Sequence, residues 1–176
     1  MTHSSSLAYS VQIMHGFYPD LDDSALAASL HNYINYFYTQ ENRSKAEVKE
    51  ALEYFKSQGY RMYVATATDY PYAITGLKTS QIYDFFEKVY TPDKVYHQKN
   101  SLKYYEHIIN DLGIKASDCV FFDDANYAIE LAKEAGMIGI GLKDDYNPKQ
   151  DRVKEVSDYY VESFGQIKDI LNKIDN

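Results

Sequence analysis

The chain has 176 residues and is 45% hydrophobic, enough for one ordinary domain with a sizeable core, or a core with a small appendage, and too apolar to stay disordered. Its 26 acidic and 18 basic residues leave a net charge of −8, and without a basic tract the field that attracts nucleic-acid phosphates is missing, so no nucleic-acid partner is expected. No apolar run reaches the roughly eighteen residues of a membrane span, and Met1 to Ser10 has neither a basic start nor an apolar stretch, so neither a membrane segment nor a secretory leader is expected. A single cysteine, Cys119, cannot close an internal disulfide and suits a reducing cytoplasm. Tyrosine is frequent at 19 residues and tryptophan absent; tyrosine serves core, rim and surface alike and points to no function.

From Leu26 the apolar positions Leu26, Leu30, Tyr33, Ile34, Phe37 and Tyr38 recur at steps of three and four, which predicts a helix with one buried face, capped by Asp22 or Asp23. Ser44 and Glu47 read as a capping box ahead of the stripe Val48, Leu52 and Phe55, with Gly59 as the stop. A strand is predicted over Arg61 to Thr66, a helical stretch from about Thr79 to Phe86, a short strand near Val89 and Tyr90, and a helix from Ser101 to Gly113. Cys119 to Phe122 is strand-like, Ala125 to Gly136 helical, Met137 to Leu142 a strand, Tyr159 to Val161 a last strand and Phe164 to Ile174 a closing helix. The polar run Thr39 to Ser44 separates an all-helical start, residues 1–43, from an α/β part, residues 44–176. Strands alternating with long helices imply a doubly wound, mainly parallel sheet covered on both faces.

In such sheets chemistry gathers at the carboxyl ends of strands, here Thr66 to Asp69, the Thr91 to Asn100 loop, and Asp123 with Asp124. The adjacent carboxylates of Asp123 and Asp124 could hold magnesium, which needs only one or two carboxylates beside water and phosphate; the simpler account makes Asp124 a helix cap and Asp123 a solvated neighbour. The Thr66 hydroxyl and the Ala67 amide could hold phosphate oxygens, or Thr66 could merely bond its own turn. Lys99 could offset phosphate charge, or be a solvated loop lysine. Asp144 and Asp145 could approach the same cleft, with a solvated turn as the simpler account. The five histidines show no zinc spacing, Cys119 opens an apolar strand and reads as a core residue, and Gly136, Gly139 and Gly141 do not make a dinucleotide fingerprint.

Taken together, EVKEALEYFKSQGYRMYVAT ending at Thr66, Lys99, and SLKYYEHIINDLGIKASDCVFFDDANYAIELAKEAGMIGIGL from Ser101 to Leu142 resemble the haloacid dehalogenase-like (HAD) hydrolase superfamily, and the tail SDYYVESFGQIKDIL resembles its beta-phosphoglucomutase-like phosphatases. The resemblance covers about Lys45 to Ile170. It implies a HAD-like Rossmannoid core with a partial helical cap at the N-terminus and a magnesium-dependent phosphatase of a small phosphorylated metabolite acting through an aspartyl-phosphate. It further implies Thr66 and Lys99 as catalytic groups, Thr66, Ala67 and Lys99 as phosphate ligands, and Asp123 and Asp124 as metal ligands for Mg2+.

The family's nucleophile motif, D-x-D-G-T at the end of a first strand, has no clean match. The nearest string is Tyr18-Pro19-Asp20-Leu21-Asp22-Asp23-Ser24, where Pro19 would remove a strand donor. Gln12 to Tyr38 instead resembles the second half of a helical cap, with Asp20 to Ser24 as a turn. On that reading the chain lacks the nucleophile, is weakly active or inactive alone, and exposes strand edges that a homodimer or a strand-donating partner would cover. The alternatives are a non-catalytic HAD-like binding or interaction protein, and a short capless phosphatase using Asp20 and Asp22.

Overall fold

In the computed structural model, residues 6–41 and 44–174 are described; residues 1–5 and positions 42–43 of the polar run lie outside them. In chain order the elements are α1 (Ser6–Phe17), α2 (Asp23–Tyr36), α3 (Val48–Ser57), β1 (Tyr63–Ala65), α4 (Tyr70–Thr79), β2 (Lys88–Tyr90), α5 (Pro92–Val95), α6 (Leu102–Leu112), β3 (Val120–Asp123), α7 (Asn126–Glu134), β4 (Ile138–Leu142), α8 (Gln150–Val156), β5 (Tyr159–Val161) and α9 (Ile167–Ile174). All strand pairing among the described residues is parallel, as alternating strands and crossover helices require. The chain divides into two compact units. Residues 1–44 with 61–97 form the first, and residues 45–60 with 98–176 the second.

In the first unit, α1 and α2 form a helical hairpin. Asp22 caps α2 by accepting a hydrogen bond from the Ala25 amide at 3.0 Å and another from the Ser24 hydroxyl, and the two bonds hold its carboxyl below the usual carboxylate range. Asp20 lies in the turn before it and is exposed. Among the described residues no strand precedes β1, so Asp20 and Asp22 do not stand at a strand end. The short capless phosphatase built on them would need Asp20 at a strand end, and here Asp20 sits in a turn while the Asp22 carboxyl is engaged as a helix cap. After α2 the chain makes a π-helical turn, Phe37–Glu41, whose Tyr38 ring stacks on Tyr72 of α4 at 6.2 Å between centroids. β1 pairs with β2 in the register Tyr63 to Lys88 and Ala65 to Tyr90.

The helix expected over Thr79 to Phe86 is displaced. It runs instead over Tyr70–Thr79, with Asp69 at its start and Pro71 in its first turn, where a missing N–H costs nothing. Only a single 3-10 turn, Tyr83–Phe85, remains of the predicted stretch.

The second unit holds the sheet β3-β4-β5. Successive residues of β4 point to opposite faces. Ile140 and Leu142 join Ala51 of α3, Val161 of β5, and Ile167 and Leu171 of α9 in one apolar core. Gly139 and Gly141 face the other way, toward α7 and α8. A Cβ on Gly139 would stand 2.9 Å from both Ile129 Cγ2 and Lys133 Cγ, and one on Gly141 would stand 2.9 Å from Val153 Cγ1, so the glycines of this strand permit close helix approach. Both faces of the sheet are thus covered, as the doubly wound reading requires.

The predicted stops Gly59, Gly113 and Gly136 all take positive φ. The predicted box of Ser44 and Glu47 does not form. Glu47 adopts a left-handed φ of 64° with no cap bond from its side chain, and its Oε2 instead accepts from the Gly165 amide at 2.9 Å. A capping box does form at Ser163 and Gln166, at the head of the closing helical segment. Of the three other helices that the pattern did not disclose, α1 has weak periodicity, α5 only four residues and α8 only seven. No helix of the described residues is long and apolar enough to cross a membrane.

Candidate functional site

Thr66 directly follows β1, and its amide still donates to the Tyr90 carbonyl at 3.1 Å. Its hydroxyl accepts a hydrogen bond from the Thr68 amide at 3.1 Å, the local turn that a strand-end threonine favours. Thr68 in turn bonds the Tyr38 hydroxyl at 3.1 Å. Ala67, between them, is exposed. Thr66, Thr68, Tyr38 and Ser80 line a cavity of about 240 Å³. All of this belongs to the first unit.

In the second unit, β3 delivers Asp123 at its carboxyl end. The Lys99 ammonium donates to Asp123 Oδ2 at 2.6 Å, and both side chains are only 10% exposed. The other carboxylate oxygen accepts from the Ala125 amide at 2.9 Å. Lys99 is therefore no solvated loop lysine. It is a largely enclosed cation held by a largely enclosed anion, and its ammonium lies 5.7 Å from the centroid of Phe121. The Tyr105 ring packs edge-on against Phe121 at 5.4 Å. Burial, reinforced by the Asp123 charge, drives the Tyr105 phenol far above its ordinary range.

The neighbouring Asp124 faces elsewhere. It shares a side-chain hydrogen bond with Asp144, which lies just after β4. Burial first, then that bond and the nearby Asp123 charge, push the Asp124 carboxyl up to about 6, with Lys45 opposing. Asp144 is held down at about 2, because it accepts from Asp124, from Lys45 and from the Tyr146 amide. The two carboxyls thus titrate as one coupled pair rather than independently. Lys45 Nζ stands 2.8 Å from Asp144 Oδ2, 3.8 Å from Asp124 Oδ2 and 3.1 Å from the Lys143 carbonyl. Asn147 donates to the Asp124 carbonyl at 2.6 Å and ties the loop after β4 to the start of α7.

Lys99 and Asp123 thus meet in one ion pair, and Asp124 lies beside it in sequence but is paired with Asp144. Thr66 and Ala67 lie in the other unit. Asp144 is not the solvated turn residue of the simpler account, since it is 19% exposed and bonded on several sides; Asp145, at 79% exposed, is. Sequence reasoning missed Lys45 and Asn147. Register offered a clue to Asp144, because Asp123 lies opposite Gly141, so the residues just beyond both strands come side by side. Nothing in the spacing foretells Lys45, which is 79 positions from Asp124.

Among the described residues no group of three or more His, Cys, Asp or Glu side chains is arranged to hold a metal ion. The carboxylates of Asp124 and Asp144 with the Lys143 carbonyl do offer a compact set of hard oxygen donors, already gathered around a cation. Such a set suits magnesium when water or a phosphate completes its shell.

Comparison with known proteins agrees with this architecture. Residues 9–142 match the sequence profile of the haloacid dehalogenase-like hydrolases. A phosphorylated carbohydrates phosphatase of Thermotoga maritima is 27% identical over 116 residues, 62% of this chain and 54% of that protein. Among solved structures, beta-phosphoglucomutase from Clostridium difficile superposes with a TM-score of 0.70 at 20% identity, covering 87% of this chain and 67% of that one. YfnB from Bacillus subtilis, bound to magnesium, gives 0.75 at 18% identity, covering 98% and 74%. At such identities the structural likeness speaks for the fold. The chain spans between 44% and 64% of the length of the first curated relatives it matches. With its profile match across most of the chain, its parallel α/β architecture and its acidic strand end, the chain belongs to the haloacid dehalogenase-like hydrolase family.

Proposed function

We propose that this chain carries the phosphate-handling and cation-holding parts of a phosphatase that acts on a small phosphorylated metabolite. The observation that carries this reading is the buried Lys99–Asp123 pair at the end of β3, next in sequence to a carboxylate that pairs with Asp144. Asp123 balances this largely desolvated lysine and fixes its position, and a fixed ammonium in a dry setting is what a phosphate oxygen binds well. Asp124 and Asp144 would hold Mg2+, which polarises phosphate oxygens and offsets charge as the transition state develops. Asp123 would act through Lys99, fixing its position. In the first unit, the amide of exposed Ala67 and the Thr66 hydroxyl would be the groups suited to phosphate oxygens.

The attacking carboxylate would come from a strand outside those described. Among the described residues β3 and β1 each have a strand neighbour on one side only, and a strand given by a second copy or another partner could pair there. Alone, the chain would turn over weakly or not at all while still binding phosphate. A cytoplasmic setting fits the single free thiol.

The test combines turnover with binding. The purified chain is assayed on a generic phosphomonoester and a panel of sugar phosphates, with magnesium and with chelator, and orthovanadate binding is followed by equilibrium dialysis. We expect vanadate binding that needs magnesium and falls at least tenfold in Lys99→Met and in Asp124→Asn. Binding indifferent to both substitutions would refute the assignment. Turnover abolished by Asp20→Asn would restore Asp20 as nucleophile.

A further inference from the structure

Within the second unit, one lysine sits where the proposed cation would. Lys45 belongs to no predicted motif, yet its ammonium contacts Asp144 Oδ2 at 2.8 Å and the Lys143 carbonyl at 3.1 Å, and stands 3.8 Å from Asp124 Oδ2. These three oxygens are the hard donors of the candidate site. Magnesium binds oxygen at about 2.0–2.1 Å. An ammonium that stayed in place would then lie within roughly 4 Å of a doubly charged ion, a repulsion several times thermal energy even in a polar protein environment. The two cations exclude each other. Lys45 is 45% exposed, and its long flexible stem gives it somewhere to go.

We propose that Lys45 is the resident counter-cation of the Asp124–Asp144 pair, and that a divalent metal binds there only by displacing its ammonium. Lys45 thereby sets the metal affinity of the site and keeps the two carboxylates together when metal is scarce. This rests on the reading of Asp124 and Asp144 as the cation-holding pair. Lys99 cannot take the same role, because its ammonium is committed to Asp123 in a nearly dry setting.

The test reads metal binding rather than turnover. Mn2+ affinity of the full chain is measured by electron paramagnetic resonance of the free ion, for the wild type, Lys45→Met, Asp124→Asn, Asp144→Asn and the double variant Lys45→Met/Asp124→Asn. Lys45→Met should bind Mn2+ at least tenfold more tightly than the wild type, and the double variant should lose that gain. Equal affinity in Lys45→Met and wild type, with Asp124→Asn still weakened, overturns the displacement and leaves the cation site standing. Affinity indifferent to both Asp124→Asn and Asp144→Asn removes the cation site itself, and the displacement with it. Should Lys45→Met fold poorly, the wild type gives a second readout. Acetylation of Lys45 by acetic anhydride, followed by peptide mass spectrometry, should rise several-fold at saturating Mn2+ relative to exposed Lys103. An unchanged ratio overturns the proposal.

Discussion

Replacing Asp123 by asparagine removes one charge from an ion pair whose side chains are each only 10% exposed and keeps the shape. The Lys99–Asp123 separation of 2.6 Å corresponds to a Coulomb attraction of about 6 kcal/mol at an effective dielectric of about 20. Much of that attraction offsets the desolvation of two groups that are each only 10% exposed. What the substitution exposes is therefore the cost of an ammonium left dry and unbalanced, about 3–5 kcal/mol. The asparagine oxygen can still accept from the Ala125 amide, as Asp123 does at 2.9 Å, so the turn into α7 contributes little to the loss. In a chain of 176 residues this corresponds to a fall of roughly 6–20 °C in Tm. Urea unfolding followed by far-UV circular dichroism and tyrosine fluorescence gives the measurement, since the chain has no tryptophan. Lys99→Met and the double variant complete the cycle, and we expect a coupling of about 2–3 kcal/mol. A loss below about 1 kcal/mol for Asp123→Asn, or a coupling near zero, would show that the pair is not buried and closed as described.

Further outcomes follow from the packing. Leu171→Ala, which empties a 3% exposed position facing Ile140 and Val161, should cost about 2–5 kcal/mol in urea unfolding; a loss under 1 kcal/mol would mean that α9 does not seal the sheet. Gly141→Ala forces a methyl into the gap beside Val153 and should cost about 1–3 kcal/mol, seen as a lower urea midpoint at unchanged slope. Burial, with the Asp118 charge adding to it, raises the Cys119 thiol above its ordinary value. Iodoacetamide should accordingly modify the folded chain at pH 8 several-fold more slowly than the urea-unfolded chain, and equal rates would contradict the burial.

Where sequence alone led to the fold, it did so through local chemistry. The apolar strand Cys119 to Phe122, the stop at Gly113 and the glycine-spaced IGIGL segment each carry their own instruction, and each stands within a residue or two of its expected place. Where it failed, a distant group had intervened. Glu47 looks like half of a capping box, but its carboxylate is claimed by Gly165, 118 positions on. The α4 helix was obscured by tyrosines and a proline in YPYAITGL, although a proline in a first turn is a legitimate opening signal. For the site, Lys99, Asp123 and Asp124 were legible because strand ends in parallel sheets collect function. The partners that decide their behaviour were less so. Asp144 needed the β3–β4 register, and Lys45 needed the folded chain.

The way the two units share the chain bears on how the molecule assembles during synthesis. Residues 45–60 belong with residues 98–176, so Ala51 on α3 must wait for Ile140, Ile167 and Leu171, which leave the ribosome some 90 to 120 positions later. Until then the apolar stripe of α3 has no lasting cover, and closing so long a loop brings its reward late. The nascent chain therefore passes through a stage in which a finished helix awaits its sheet, a stage suited to chaperone capture and exposed to self-association. No single cut frees either unit, because the backbone crosses between them at Ser44, Tyr60 and His97. Truncation at Ser44 or His97 would leave one unit whole but joined to a piece of the other, and truncation at Tyr60 would divide both.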